Sequence, residues 1–186
     1  MNFKRTTNST ANLEEFIDGA DTQREQKKEK KDIYINVKLA RELADRIKLK
    51  YPVLSLTQFI EQALMEEIPY IKEEILSDIY QQSKWHNMEM EDFVKYKMGL
   101  VETPEPSHEE ENVRRIGLKT NKENRKIIKE KASSLHLSVL MYSEIKIKAT
   151  YQLKDIFTFD ELMQFKAEAM NYDLELDEYI AMRIKG

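Results

Sequence analysis

Residues able to carry out covalent or metal chemistry are few in this sequence and lie far apart. The three histidines, His86, His108 and His136, show no HExxH or other metal-ligand spacing. The absence of cysteine excludes a disulfide, a thiolate metal site and a thiol nucleophile. No P-loop, GxGxxG or GxSxG motif occurs, and a sequence does not distinguish a catalytic carboxylate pair from surface charge. We therefore expect a protein that is not an enzyme and that uses neither a metal nor a cofactor.

The composition predicts a mainly helical protein with one or two domains. Hydrophobic residues make up 41% of the 186 residues, which is enough for a core, and four glycines and four prolines are few. No stretch approaches the roughly 20 consecutive apolar residues of a membrane span. The N-terminus has no apolar signal region. These features predict a cytoplasmic protein.

Residues 32–68 organise the rest of the chain, beginning with a pattern of period two. The alternating positions are Tyr34, Asn36 and Lys38 on one side and Ile35, Val37 and Leu39 on the other. This pattern predicts a half-buried strand. A helical period follows, in which Leu39, Leu43, Ile47 and Leu49 share one face, and Pro52 ends that helix.

A second helix is predicted to begin at Ser55, which is a suitable N-cap. Its apolar face is predicted to comprise Leu56, Phe59, Ile60, Ala63, Leu64 and Ile68. Pro69 is expected to end it. A strand and two helices in under 40 residues cannot bury a core alone, so this unit needs a partner.

The strand YINVKL and the helix entry LSLTQFIEQAL resemble the ribbon-helix-helix family of DNA-binding proteins, the CopG/Arc-like members of the MetJ/Arc superfamily. The resemblance implies a small two-stranded antiparallel β-ribbon in which each strand comes from one ribbon-helix-helix unit.

A second unit of the same kind is predicted within the chain. When Ile35 is placed over Ile116, residues 35–64 align without a gap on residues 116–145, and the core-facing positions are apolar in both. Residues 75–98 align in the same way on residues 161–184, with turns at Asn87 and Asp173. The predicted fold is therefore mainly α, with tandem ribbon-helix-helix units that are each followed by a helical hairpin.

Six segments follow from these alignments. They are a disordered polar tail (1–31), ribbon-helix-helix copy 1 (32–68), an acidic hairpin (69–99), a linker (100–112), ribbon-helix-helix copy 2 (113–150) and a second acidic hairpin (151–186). Residues 153–159 are either a short strand or the approach to a helix capped by Thr158 or Asp160. We predict Trp85, Tyr96, Tyr172 and Tyr179 to be core rather than interface aromatics, and Met88, Met90 and Met98 to be packing residues.

The net charge of −4 conceals a segregation of charge along the chain. Residues 113–150 hold ten Lys/Arg and three Asp/Glu, a net +7, whereas residues 69–112 hold four and eleven, a net −7. The acidic pI therefore does not argue against nucleic-acid binding, because the positive charge is concentrated on copy 2.

The resemblance implies that the ribbon enters the major groove of double-stranded DNA with its polar face toward the bases. The implied base-reading residues are Tyr34, Asn36, Lys38, Arg115, Gly117 and Lys119. Gly117 departs from the family pattern, which usually has a reading side chain there, and indicates either an asymmetric site or a second strand that reads little. The implied phosphate-binding residues are Ser55 and Thr57, His136 and Ser138 at the second-helix N-termini, and Lys122, Arg125, Lys126 and Lys129 on a helix of copy 2. Each of these residues also has a purely structural interpretation, as a cap or a solvated charge.

The N-terminal tail contains one apolar island, LEEFIDGA, with Phe16 and Ile17. Such tails resemble those of plasmid partition proteins, which implies a ParA-type ATPase as partner and Arg5 or Arg24 as the contacting arginine. A solvated leader is the alternative.

Three hypotheses about function remain open at this stage. The first is a sequence-specific DNA-binding repressor or plasmid partition factor, or the relaxosome accessory protein of a conjugative element with a relaxase as partner. The second is an antitoxin-like protein whose acidic hairpins bind a toxin, and the third is a helical scaffold that has lost DNA binding. The sequence does not decide whether the chain forms an intramolecular pseudo-dimer or a homodimer.

Overall fold

The computed structural model describes residues 33–104, 106–107 and 112–186. Within these ranges eight α-helices and one two-stranded antiparallel sheet give a mainly helical fold, as predicted. The first half contains β1 (Ile33–Ala40), α1 (Arg41–Lys50), α2 (Leu56–Met65), a 3₁₀ turn (Glu73–Ile75), α3 (Leu76–Trp85) and α4 (Met90–Lys97). The second half contains β2 (Val113–Thr120), α5 (Lys122–Ser134), α6 (Val139–Leu153), α7 (Phe159–Met170) and α8 (Leu176–Lys185). Inside these ranges no helix combines the length and apolarity that crossing a membrane requires.

The two strands pair with each other inside one chain, although 72 residues separate the end of β1 from the start of β2. The predicted alternation is confirmed: Ile35, Val37 and Leu118 are buried, and Ile116 is half-buried. The opposite side of the sheet carries the polar side chains. The pleat therefore separates an apolar inner face from a polar outer face.

The inner face of the sheet packs on a first hydrophobic cluster, which we call the sheet core. It is formed by β1, β2, α1, α2, α5 and one side of α6, with Ile47, Phe59, Leu64, Ile128 and Tyr142 among its buried residues. A second cluster, which we call the bundle core, joins α3, α4, α7 and α8 to the other side of α6. Phe93, Val94, Tyr179 and Ile180 lie at its centre.

Helix α6 belongs to both cores, since Tyr142 and Ile147 lie in the sheet core and Ile145, Ala149 and Leu153 lie in the bundle core. Helices α2 and α5 contact it on the sheet-core side, and α3 and α4 contact it on the bundle side. A helix that packs on two cores is buried around most of its circumference, which explains why the polar side chains of Ser143, Lys146 and Lys148 are buried.

Short-range sequence signals set the helix starts. The Ser55 hydroxyl accepts a hydrogen bond from the Gln58 N–H, and Ser138 does the same for Met141, so both are N-caps as predicted. The open question at residues 153–159 is settled by Thr158, which caps α7 in a reciprocal capping box with Glu161.

Several helices end on a residue with a left-handed backbone. Asn87 (φ 55°) and Asp173 (φ 56°) follow α3 and α7 at the two predicted turns, and His136 (φ 56°) follows α5. In each case the next amide bonds to a carbonyl five residues back, as in Leu137 N–H to the Ala132 carbonyl at 2.9 Å. These are Schellman-type ends, for which Asn and Asp are tolerated because they adopt positive φ more readily than most residues.

Four predictions about copy 1 need correction. Leu39 is the penultimate residue of β1 and not part of the first helix, and Leu49 is 81% exposed rather than on its buried face. Helix α2 ends at Met65, so Pro69 does not end it, and Ile68 is buried beyond the helix. Apolar residues continue at helical spacing past Met65, and periodicity alone does not show that the helix has ended there.

The gapless alignment of the two units is also wrong beyond the first helix. Helix α1 starts 81 residues before α5, but α2 starts 83 residues before α6, because α5 has 13 residues against the 10 of α1 and a shorter loop follows it. Phe59 and Tyr142 are each the fourth residue of their helix and are both buried, whereas Leu140 is half-buried. The hairpin alignment agrees with the burial: Phe93 and Tyr179 are both buried, and they stack on His86 and Tyr172 respectively.

Three of the four predicted core aromatics lie on the surface. Trp85 is 86% exposed, Tyr172 61% and Tyr96 46%, whereas Tyr179 is buried as predicted. Met90 and Met98 are buried packing residues, and Met88 is half-buried.

Candidate nucleic-acid interface

The outer face of the sheet presents the side chains that the sequence singled out. Tyr34 is 53% exposed, Asn36, Arg115 and Lys119 are exposed, and Lys38 is half-buried. Their outward orientation is thus as predicted, and a row of amide, ammonium and guanidinium groups lies along the ribbon.

Gly117 leaves a gap in this row that a tyrosine ring partly covers. A β-carbon built on Gly117 would lie 3.5 Å from Cδ1 of Tyr34, an ordinary contact distance. The second strand therefore contributes no side chain here, and Tyr34 of the first strand lies over the position.

A cleft of about 290 Å³ extends from this outer face toward the start of α6. It is lined by Tyr34, Ile35, Asn36, Arg115, Arg125, Lys129, Val139 and Leu140. Three cationic side chains from β2 and α5 thus converge on a space beside the first turn of α6. Such a concave positive site suits an anion such as a phosphate group.

The start of α6 adds to the positive potential of the cleft. Val139 and Leu140 are its first two residues. The first amides of a helix have no intrahelical acceptor and form the positive end of the helix dipole. Ser138 caps the helix through the Met141 amide, and both serine and cleft lie on the same end of α6. Capping and anion binding are compatible here, since the cap occupies only one of the first amides.

The start of α2 is different in its local chemistry. Its capping box is reciprocal: the Ser55 amide donates to Oε1 of Gln58 at 2.9 Å, and the Gln58 amide donates to the Ser55 hydroxyl at 3.2 Å. Thr57 is exposed on the first turn.

The predicted lysine and arginine stripe on α5 divides into separate groups. Arg125 and Lys129 line the cleft, whereas Lys126 pairs with Glu130 on the same helix at 3.7 Å. Lys122 is exposed at the first position of α5. His136 is exposed but lies in the turn that ends α5 rather than in the cleft lining.

Three lysines of copy 2 are used inside the protein, which the charge count along the sequence did not reveal. Lys146 and Lys131 both pair with Glu73, at 3.2 and 3.4 Å, and Lys148 pairs with Glu89 at 3.7 Å. The carboxylates come from the acidic segment 69–112. Part of the segregation of charge therefore reflects attachment of the α3–α4 hairpin to α6.

Glu73 is the centre of the most buried of these networks. Its Oε1 accepts hydrogen bonds from the Tyr142 hydroxyl at 2.5 Å and faces the Lys146 ammonium, which is 1% exposed. Burial by itself would raise the pKa of Glu73, but the Tyr142 hydrogen bond and the two lysines bring the pKa below its usual value. Burial lowers the pKa of Lys146 and, together with the carboxylate, raises that of the Tyr142 hydroxyl.

Three further hydrogen bonds hold the bundle on α6, and sequence reasoning missed all of them. The Tyr80 hydroxyl of α3 donates to Glu144 at 2.6 Å, and the buried Gln152 accepts from the Met90 amide at 2.8 Å while donating to Glu89. A signal existed in the sequence, because the polar side chains of Lys146, Lys148 and Gln152 alternate with apolar residues along a helix that is buried on two sides.

Arg5, Phe16 and Ile17, with Arg24, lie outside the described residues. In the described part of the chain no group of three His, Asp or Glu side chains is placed to hold a metal ion.

Comparison of the chain with protein-family models, with curated proteins and with solved structures gave no match.

Proposed function

We propose that this protein binds double-stranded DNA sequence-specifically, with the outer face of the β1–β2 sheet in the major groove. The observation that supports this most is the continuity of the site: Asn36 and Arg115 on the outer face line the same cleft as Arg125, Lys129 and the start of α6. Groups able to contact bases and groups able to hold a phosphate are thus adjacent.

The geometry suits a groove rather than a flat surface. The major groove admits a two-stranded ribbon, and outward side chains then meet base edges. Asn36 matches the N6 and N7 edge of adenine, and Lys38, Arg115 and Lys119 match O6 and N7 of guanine. A phosphate of the flanking backbone would lie in the cleft beside α6.

We further infer that the chain consists of two ribbon-helix-helix units that form a pseudo-dimer, each unit followed by a helical hairpin. The order strand, helix, helix, helix, helix occurs twice, and Ser55 and Ser138 cap equivalent helices. The hairpins turn at equivalent residues, Asn87 and Asp173, with the same backbone conformation. The two-stranded sheet, to which each unit contributes one strand, allows the units to pair without a second chain.

The biological role consistent with this activity is that of a cytoplasmic transcriptional repressor or a plasmid partition and maintenance factor. The acidic hairpins would be repelled by DNA phosphates, so they belong on the side away from the duplex. Glu73 and Glu89 hold the first hairpin on α6, behind the sheet core.

Fluorescence anisotropy tests the proposal with two duplexes, one from upstream of the coding sequence and one of random sequence, across a salt series. We expect tighter binding to the first and a steep loss of affinity with salt. Asn36→Ala and Arg115→Ala should each weaken binding to the specific duplex by about 1–3 kcal/mol and reduce discrimination. Lys185→Ala, an exposed cation at the far end of α8, is the control and should change nothing. An absence of binding to any duplex at low salt would refute the proposed function.

A further inference from the structure

We propose that the protein anchors DNA phosphates on one flank only, the flank where α6 begins, and therefore binds DNA in a fixed orientation. This inference rests on the proposed function and concerns the partner contacts of the same site. It follows from comparing equivalent positions in the two halves of the chain.

The cations of the cleft have poor counterparts in the first half. Helix α5 starts 81 residues after α1, so Arg125 corresponds to Ala44 and Lys129 corresponds to Lys48. Ala44 carries no charge. The flank where α2 begins therefore lacks one of the two helix cations that line the cleft on the flank where α6 begins.

The remaining counterpart, Lys48, already has an anionic neighbour. Its ammonium lies 3.3 Å from Asp45 on the same helix, and both side chains are 57% exposed. A phosphate at this flank would meet the Asp45 carboxylate beside the lysine, and the like charge would weaken the attraction. Lys129 lines the cleft with Arg125 and Arg115 instead.

The other basic residues at the end of α1 point toward α6. The Lys50 ammonium donates to the Tyr151 carbonyl at 3.0 Å and lies over the rings of Tyr51 and Tyr151. The Arg46 guanidinium lies 5.8 Å from the centroid of the Tyr151 ring. These two cations stabilise the C-terminal end of α6.

The N-termini of α2 and α6 also differ, and the difference again favours an anion at α6. In α2 the Ser55 amide is occupied by the Gln58 side chain. In α6 the residue at the corresponding position is Met141, which has no carboxamide or carboxylate to accept a hydrogen bond from the Ser138 amide. One more backbone donor is thus open to an anion at the start of α6 than at the start of α2.

The salt dependence of DNA binding measures this difference with matched variants. Lys129→Ala should lower the slope of log affinity against log salt by about 0.9, and Arg125→Ala/Lys129→Ala by about 1.8, one phosphate contact per residue. Between 50 and 200 mM salt the wild type should then lose about twelvefold more affinity than the double variant. Lys48→Ala, the equivalent substitution on the other flank, should leave the slope unchanged. Equal effects of Lys48→Ala and Lys129→Ala would overturn the inference.

Hydroxyl-radical footprinting shows directly which phosphates the protein protects. The duplex, of about 30 base pairs or three helical turns, is first selected from a random pool by binding to the full chain. We expect backbone protection that extends further on one side of the ribbon contacts, and loss of that extension alone in Lys129→Ala. Symmetric protection in the wild type would overturn one-sided anchoring while leaving DNA binding intact. Failure to select any bound duplex would instead refute the proposed function.

Discussion

Glu73→Gln should be among the most damaging single substitutions of a polar residue in this protein. It removes the negative charge 3.2 Å from the Lys146 ammonium, which is 1% exposed and has little access to water. At that distance the attraction is about 5 kcal/mol for an effective dielectric constant of 20. Removing one partner of a buried pair typically costs about 3–5 kcal/mol. Because the Glu73 side chain is 21% exposed, we expect a loss near the lower end, about 3 kcal/mol.

A second substitution should reverse most of that loss. Glu73→Gln/Lys146→Met removes both charges, leaves the Tyr142 hydroxyl an amide oxygen to bond, and fills the lysine volume with a flexible apolar side chain. We expect the free energy of unfolding of the double variant to lie within about 1 kcal/mol of the wild-type value. Lys146→Met alone should cost less than Glu73→Gln, since Glu73 then keeps Tyr142 and Lys131.

Urea unfolding followed by far-UV circular dichroism measures these differences, provided that the dependence on denaturant is the same in all variants. The control is Glu66→Gln, which removes a carboxylate 3.1 Å from Lys154 in a pair whose side chains are 51% and 37% exposed. That exposed pair should contribute less than about 1 kcal/mol. The reasoning is refuted if Glu73→Gln is as mild as Glu66→Gln, or if the double variant is no more stable than Glu73→Gln.

Three further outcomes are expected. The pKa of Glu73 is lowered in the folded chain, so its ionised form stabilises the fold at pH values above its ordinary pKa of 4.5. This stabilisation is lost as the pH falls through the pKa of the folded state. Glu73→Gln should therefore flatten the acid side of the plot of unfolding free energy against pH. Ser138→Ala should cost about 1 kcal/mol of stability and also weaken DNA binding, whereas Thr158→Ala should cost a similar amount of stability and leave DNA binding unchanged, as separate unfolding and anisotropy titrations would show. Trp85, the only tryptophan, is 86% exposed, so its fluorescence maximum should lie at the wavelength of a solvated indole and move little on unfolding; a large red shift in urea would contradict this.

Features decided by neighbouring residues were the ones that the sequence predicted well. The alternation around Ile35 and Val37 gave the inner face of the sheet, because the pleat allows only two sides. Ser55 and Ser138 marked helix starts because a cap acts within three residues. The reading of DNA bases by the outer face remains a prediction.

Features decided by contacts between distant segments were missed. Lys146 and Lys148 counted as positive charges of copy 2, yet their carboxylate partners come from the α3–α4 half of the chain. The two-residue shift between the second helices arose because α5 continues to Ser134, and the length of a helix depends on what it packs against. Trp85 was assigned to the core from its residue type, although a folded surface keeps many apolar atoms.

The pairing of β1 with β2 inside one chain has an evolutionary consequence. In a symmetric homodimer each substitution appears twice and changes both half-sites together. Here a single substitution changes only one of the two paired strands, so Gly117 in β2 does not require a glycine in β1, and Gln58 and Met141 can differ at the starts of α2 and α6. Pairing of the two strands also does not depend on protein concentration, since both belong to one chain.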